Sequence, residues 1–310
     1  MLKIIIRLAV SAGLLVFLVV HSDLQMLRST LAKIGVVDIL SATAILFILT
    51  PILAWRWHTI AHAIGVNLTK RSALVIVLIG TFFNQVLPSA IGGDAIRIWL
   101  LKKENVSLTK CFSSILLDRV VALFGMVLIV GAGFQLLMQI VRQPTLKLAV
   151  GTVIAAGLSG VVILLLLDKI PLPASLRHHS IALKLLSIAS DARRVFFSLR
   201  TLAVALVASV IIHLLVSVAV WILARGIGLS VGLEVFVLLL PLVLLLSLLP
   251  ISVAGWGVRE GAMIASLALV DVDAASAFAV SALFGLAYIL AGIPGGLVWL
   301  FMDNKQKKQQ

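Results

Sequence analysis

The chain has 310 residues, 62% hydrophobic and 12% charged, with a formal net charge of +13 and a mean hydropathy of +1.22. Soluble proteins carry charge on about a quarter of their residues, so the composition specifies a polytopic integral membrane protein and excludes a soluble enzyme; no RNA- or DNA-binding motif accompanies the positive charge. The single Cys111 excludes an internal disulfide and any cysteine-based metal site.

Apolar runs cover about 4–20, 37–55, 72–88, 90–101, 111–138, 147–167, 202–224, 232–249, 251–270 and 275–301. A spanning helix takes about 20 residues. The run 4–20, with Lys3 just before it and Arg7 in its first turns, has no small-residue cleavage site at Val19-Val20-His21, so an uncleaved first helix is expected. At the end of the third run, 72–88, comes Leu87-Pro88-Ser89-Ala90-Ile91-Gly92-Gly93-Asp94-Ala95-Ile96-Arg97, where Pro and paired Gly break the helix. The run 90–101 is too short to span, so 72–101 is predicted to form a re-entrant hairpin. Asp94 and Arg97 then share one helical face. Asn84 and Gln85 can hydrogen-bond carbonyls freed by Pro88 or line a polar path. Asp118 and Arg119 fall about eight residues into the run 111–138, about 12 Å deep at a rise of about 1.5 Å per residue.

The stretch Asp168–Arg200 follows the run 147–167 and carries six Lys or Arg. It either only orients the chain by its charge or lays an amphipathic helix on the cytoplasmic leaflet through Ile181, Leu185, Ile188, Val195, Phe196 and Leu199. His213, inside the run 202–224, reads as a hydrogen-bonded packing residue. A second interruption, Leu249-Pro250-Ile251-Ser252-Val253-Ala254-Gly255-Trp256-Gly257-Val258-Arg259-Glu260, repeats the first in kind. It makes 232–270 the second predicted hairpin, with Glu234 interfacial at its start. Gly292-Ile293-Pro294-Gly295-Gly296 in the last run reads as a kink or helix contact.

Cytoplasmic loops carry an excess of Lys and Arg. With both hairpins re-entrant, 17 of the 25 Lys and Arg fall on the cytoplasmic side, among them Arg56 near the end of the second run. The predicted fold is therefore all-α, with about six spanning helices plus two re-entrant helical hairpins, or eight or more helices if the hairpins span. Residues 1–140 form a first repeat of helix, helix, hairpin, helix. Residues 145–302 form a second, inverted repeat that includes the basic loop 168–200, and 303–310 are a cytoplasmic tail. The expected location is the bacterial inner membrane with both termini cytoplasmic. Non-helical backbone at membrane depth is tolerated where it is buried in protein or lines a water-filled cavity. Paired interruptions in two halves of a chain mark the binding site of transporters.

Charge at the bilayer centre costs about 2.5–3.5 kcal/mol per residue on insertion scales and marks function. The candidate substrate-binding residues are Asn84, Asp94, Arg97, Asp118, Arg119, Arg259 and Glu260. The pairs Asp94–Arg97 and Arg259–Glu260 can lock the hairpins, and the arginines can hold an anion, since a guanidinium matches phosphate bidentately; both readings stay open. Pro88, Gly92, Gly93, Pro250, Gly255 and Gly257 are assigned to hairpin structure. No Gly-Lys-Ser/Thr nucleotide loop, no His, Asp or Glu at metal-ligand spacing and no nucleophile beside a base is present, so no cofactor, metal or enzymatic activity is expected.

Asn84, Leu87-Pro88, Gly92-Gly93-Asp94, Arg97 and Asp118-Arg119, with Leu249-Pro250-Ile251-Ser252 and Gly255-Trp256-Gly257-Val258-Arg259-Glu260, resemble the lysylphosphatidylglycerol synthase transmembrane family across essentially the whole chain. That family includes YbhN-like proteins, the HpnL group and the flippase half of MprF. MprF adds a cytosolic domain that makes aminoacylated lipid, whereas this chain ends at Gln310. The resemblance thus implies lipid translocation or handling, not synthesis. It places a headgroup-moving role on Asp94, Arg97, Arg119, Arg259 and Glu260.

The leading expectation is a flippase or transporter moving a polar, anionic lipid headgroup through a central charged cavity. One alternative is a proton-coupled small-solute transporter in which Asp94 or Glu260 carries the proton. Another is a non-transporting subunit that recruits a lipid-modifying enzyme through the 168–200 loop. Membrane lipids are the expected partners and nucleic acid is not. Homo-oligomerisation stays open, because a buried dimer face and a lipid-facing surface are both apolar.

Overall fold

The computed structural model describes residues 24–87, 92–141, 144–166, 169, 180–247 and 255–307. The expected first helix over 4–20, Pro88, Pro250 and most of 168–179 lie outside these. Among the described residues the chain is helical and has no strand. The helices are α1 (Leu24–Leu31), α2 (Val36–Ala63), α3 (Lys70–Val86), α4 (Gly92–Lys103), α5 (Leu108–Ala132), α6 (Phe134–Ile140), α7 (Pro144–Leu166), α8 (Ser180–Phe196), α9 (Leu199–Gly226), α10 (Leu233–Ser247), α11 (Val258–Leu267) and α12 (Ala274–Lys307). Among the described residues four segments are long and apolar enough to cross a membrane: α2, α5, α9 and residues Ala274–Met302 of α12.

Local chemistry sets several boundaries. Thr69, Ser107 and Ser198 cap α3, α5 and α9, each hydroxyl accepting a hydrogen bond from a backbone N–H of the first turn. Gly133 divides the run expected over 111–138 into α5 and α6. The run expected over 37–55 is longer in the structure, because α2 continues to Ala63. Its polar last turns are sheltered by protein, with Trp57, Ile60, Ala61 and Ile64 fully buried. Leu40, Ile48, Val207, Leu214, Ile293 and Leu297 on α2, α9 and α12 are exposed. They give these helices the apolar outer surface that hydrocarbon requires.

α2 packs along α9 at the centre, with α12 against α2 and α5 against α9. α3 pairs with α4, α10 pairs with α11, and α3 also packs along α12. Glycines allow these close approaches, as small residues do at membrane helix contacts. A Cβ on Gly295 would overlap the Leu78 carbonyl, and one on Gly296 would press into the Phe82 ring. The glycine-rich end of the last helix is therefore a helix contact with α3. A Cβ on Gly93 would overlap the Gly80 carbonyl and the Asn84 side chain. We expect Gly93→Ala to force α3 and α4 apart and lower stability by about 1–3 kcal/mol, the usual cost of overpacking. Thermal unfolding of the purified protein measures it.

α8 turns part of the basic segment into a packing element. Ile188, Ala189, Ala192 and Val195 are buried against the bundle, and Lys110 at the start of α5 pairs with Asp191. Leu183, Leu185, Phe197 and Leu199 stay exposed, so the apolar residues expected to lie together on the leaflet are divided between bundle and surface.

Candidate functional site

The site is built from a chain of alternating charges on three helices, tied to a fourth by a serine hydroxyl. On α2, Arg56 donates from Nε to Asp118 Oδ1 at 2.8 Å and from Nη1 to Ser209 Oγ of α9 at 3.2 Å. The other oxygen of Asp118, on α5, accepts from Arg97 Nη2 of α4 at 3.3 Å. Arg97 Nη1 reaches Asp94 Oδ1 one turn back, also at 3.3 Å. Asp94 then accepts a fork from Arg119: Nε to Oδ2 at 2.9 Å and Nη2 to Oδ1 at 3.0 Å. Three guanidiniums thus share two carboxylates, leaving one positive charge in excess.

Backbone and apolar groups hold this chain in place. Asn84 Oδ1 accepts from the Gly93 N–H at 2.8 Å, capping the first turn of α4 from across the hairpin. The amide satisfies a helix N-terminus rather than a carbonyl. The Arg97 guanidinium lies over the Trp57 ring, 4.4 Å from its centroid. Its Nε has no hydrogen-bond partner among the described residues. Gly80 on α3 leaves the room that Arg97 fills, since a Cβ there would meet Arg97 Cγ at 2.9 Å.

A cavity of about 290 Å³ opens beside this network. Arg56, Arg97, Asp118 and Arg119 line it, together with Thr81, Asn84 and Gln85 of α3, His213 of α9 and Tyr288 of α12. Arg56 and Asp118 are buried at 4% and 3% side-chain exposure, whereas Arg119 retains 38%. Arg119 is therefore the charge turned toward the open space. His213 Nε2 lies 3.2 Å from the Ala122 carbonyl oxygen, a hydrogen bond that fits its expected packing role.

The second hairpin closes on itself. Glu260 Oε1 accepts from Arg259 Nη2 at 2.6 Å, from Arg259 Nε at 3.1 Å and from Ser281 Oγ at 3.1 Å. Its Oε2 accepts from the Gly257 N–H, capping α11. Gly255 and Gly257 have φ of +80° and +84°, a left-handed backbone that glycine adopts without steric cost. The Arg259 guanidinium lies over Trp256, 4.6 Å from its centroid, and Gly285 of α12 leaves the space it needs. Neither Arg259 nor Glu260 lines the cavity beside Arg119.

The structure thus brings Asn84, Asp94, Arg97, Asp118 and Arg119 together and leaves Arg259 and Glu260 as a separate, fully satisfied pair. Gly92 and Gly93 sit buried at the start of α4. Arg56 is absent from the sequence-based candidates and holds a central place here. Its expected position beyond the second apolar run came from ending that helix too early. Its tryptophan neighbours and the apolar Ile60-Ala61 beyond it were the available signal. Ser209, Ser281, Trp57, Gly80, Gly285 and Tyr288 also escape the sequence reading, because ordinary hydroxyl, aromatic and glycine residues become distinctive only through what they face. Among the described residues no group of three His, Cys, Asp or Glu gathers to hold a metal.

The sequence model of a family described as "Lysylphosphatidylglycerol synthase TM region" matches residues 4–295. A "UPF0104 membrane protein" of Methanocaldococcus jannaschii is 23% identical over 290 residues, 85% of this chain and 84% of its own length. Proteins with the same description from Methanothermobacter thermautotrophicus and Pyrococcus horikoshii are 28% and 27% identical over 30% and 40% of this chain. Those two matches span 28% and 36% of the relatives' own lengths.

Proposed function

Because this chain belongs to the lysylphosphatidylglycerol synthase transmembrane family, we propose that it translocates a lipid with an anionic headgroup, which enters the cavity at Arg119 while its acyl chains stay in hydrocarbon. It is a multi-pass membrane protein by family and by the four long apolar helices among its described residues. The observation that carries the reading is the excess positive charge of the Arg56–Asp118–Arg97–Asp94–Arg119 chain, offered to a 290 Å³ cavity through its most exposed member. A phosphate that leaves water needs its hydrogen bonds and countercharge replaced, and a guanidinium supplies both. The lipid is carried, not chemically altered, in this reading.

The inverted repeat belongs to the same proposal. α5 packs on α9 as α12 packs on α2, and each hairpin contacts the long helix that follows it in sequence. In each hairpin an arginine stacks on a tryptophan opposite a glycine. The re-entrant reading is supported by length. α3 and α4 have 17 and 12 residues, about 25 and 18 Å at about 1.5 Å each, short of an apolar core about 30 Å thick. The end that carries Lys70, Arg71, Lys102, Lys103 and Lys110 faces the cytoplasm by the positive-inside rule. Hairpin one would bind while hairpin two, its charges consumed internally, serves as the rigid counterpart.

Cavity occupancy tests this. Cys111 is buried, and Cys111→Ser gives a cysteine-free background for Gln85→Cys, a reporter on the cavity wall. In phosphatidylglycerol vesicles the reporter is expected to react several-fold more slowly with a small water-soluble methanethiosulfonate than in phosphatidylcholine vesicles. Equal rates in the two lipids would contradict anionic headgroup occupancy.

A further inference from the structure

We propose that the central cavity selects a lipid headgroup that carries hydroxyls beyond its phosphate and no ammonium, a polyol phosphodiester such as a phosphoglycerol; this rests on the translocation reading and names its substrate class. Among the described residues, Asp118 is the one acid on the cavity wall, against Arg56, Arg97 and Arg119. The segments 88–91 and 248–254, which join the arms of the two hairpins, contain no charged residue.

Both oxygens of Asp118 are taken, by Arg56 Nε at 2.8 Å and Arg97 Nη2 at 3.3 Å. Behind Arg119, both oxygens of Asp94 are taken as well. An ammonium group in the cavity would therefore meet three guanidiniums and no free carboxylate. Charge removed from water without a countercharge is costly, so ethanolamine and serine headgroups are disfavoured. Arg119 spends Nε and Nη2 on Asp94, which leaves Nη1 for a phosphate oxygen.

The neutral polar groups of the wall suit hydroxyls. Thr81 Oγ1 donates to the Val77 carbonyl at 2.9 Å and Ser247 Oγ to the Val243 carbonyl at 2.7 Å. Each proton is committed to its own helix, so each oxygen faces the cavity as an acceptor. Asn84 accepts from Gly93 through Oδ1, which leaves its amide nitrogen as a donor. The Gln85 amide and the Tyr288 hydroxyl, both on the wall, donate and accept. A ligand hydroxyl also does both, whereas an ammonium only donates and a choline methyl does neither. A site built to hydrogen-bond a hydroxyl rejects the analogue without one, because its own polar groups are left unpaired.

The test titrates water-soluble dihexanoyl lipids onto the full chain in nonionic detergent by calorimetry. Phosphatidylmethanol keeps the phosphodiester charge and lacks the hydroxyls; phosphatidylserine keeps the net charge and adds an ammonium. Phosphatidylglycerol is expected to bind about fivefold more tightly than phosphatidylmethanol, the worth of about one hydrogen bond, and at least about tenfold more tightly than phosphatidylserine. Gln85→Leu with Tyr288→Phe brings the first ratio to about one and leaves phosphatidylmethanol bound as before, which a merely structural loss would not do. Gln85→Glu supplies the missing carboxylate and raises phosphatidylserine relative to phosphatidylglycerol by about tenfold. Phosphatidylserine or phosphatidylmethanol bound as tightly as phosphatidylglycerol, with phosphatidylcholine unbound, overturns this inference and leaves the anionic-headgroup reading standing. Phosphatidylcholine bound as tightly as phosphatidylglycerol, or no lipid bound at all, overturns both. Soluble glycerophosphoglycerol bound as tightly as the lipid overturns the assignment to a lipid.

Discussion

Arg119→Ala is expected to lower anionic lipid translocation by about 30-fold or more while the protein still folds. Truncating one partner of a buried, hydrogen-bonded charge pair costs about 2–5 kcal/mol in binding, and the low end of that range is already a factor of about 30. The charge count explains why the fold should survive. Without Arg119 the network holds Arg56 and Arg97 against Asp94 and Asp118, two charges of each sign, and Asp94 keeps its contact with Arg97 at 3.3 Å. What disappears is the excess charge and the fork presented to the cavity. Arg119→Lys keeps the charge and loses the planar fork, so an intermediate rate is expected. Rates normalised to folded, reconstituted protein check both variants.

Asp118→Ala is expected to do the reverse and strike stability first. Its carboxylate is shared by Arg56 at 2.8 Å and Arg97 at 3.3 Å, all three groups buried. Removing it leaves three guanidiniums around the single carboxylate of Asp94. Breaking a buried pair by deleting one partner costs about 3–5 kcal/mol, whereas replacing both members by apolar groups can be nearly neutral. Arg56→Met combined with Asp118→Ala should therefore recover part of the loss. The double-mutant cycle should show an interaction of at least about 1 kcal/mol, above the scatter seen between independent sites. Thermal unfolding of the purified protein, followed by size exclusion, reads all three variants. An additive cycle would mean that Arg56 and Asp118 do not act as a pair.

These two residues also mark how far the sequence could be read. The helix-breaking motifs lead to α3–α4 and α10–α11 because Pro and paired Gly in apolar sequence have few structural meanings. Asp94, Arg97, Asp118 and Arg119 stand out for the same reason: charge in a helix of such apolarity needs a partner or a task. Spacing alone pairs Asp94 with Arg97, which share a turn, and Arg259 with Glu260, which are neighbours. It cannot pair Asp94 with Arg119 or Arg56 with Asp118, whose meeting depends on how α2, α4 and α5 pack. Arg56 was hidden further by its surroundings. The apolar run stops at the first basic residue, whereas α2 runs on because neighbouring helices cover its last turns. The two hairpin arginines look equivalent in sequence and differ in the structure. Glu260 saturates Arg259 and caps its own helix. Asn84 takes over the capping role in the first hairpin and leaves Asp94 for the arginines.

The most direct test of the central claim is movement of headgroup-labelled lipid across proteoliposomes that contain the full chain. Labelled phosphatidylglycerol should cross faster than in protein-free vesicles, labelled phosphatidylcholine should not, and Arg119→Ala should return the anionic lipid to the protein-free rate. No movement of any lipid by folded protein, or equal movement in wild type and Arg119→Ala, would contradict a headgroup path through the arginine-lined cavity.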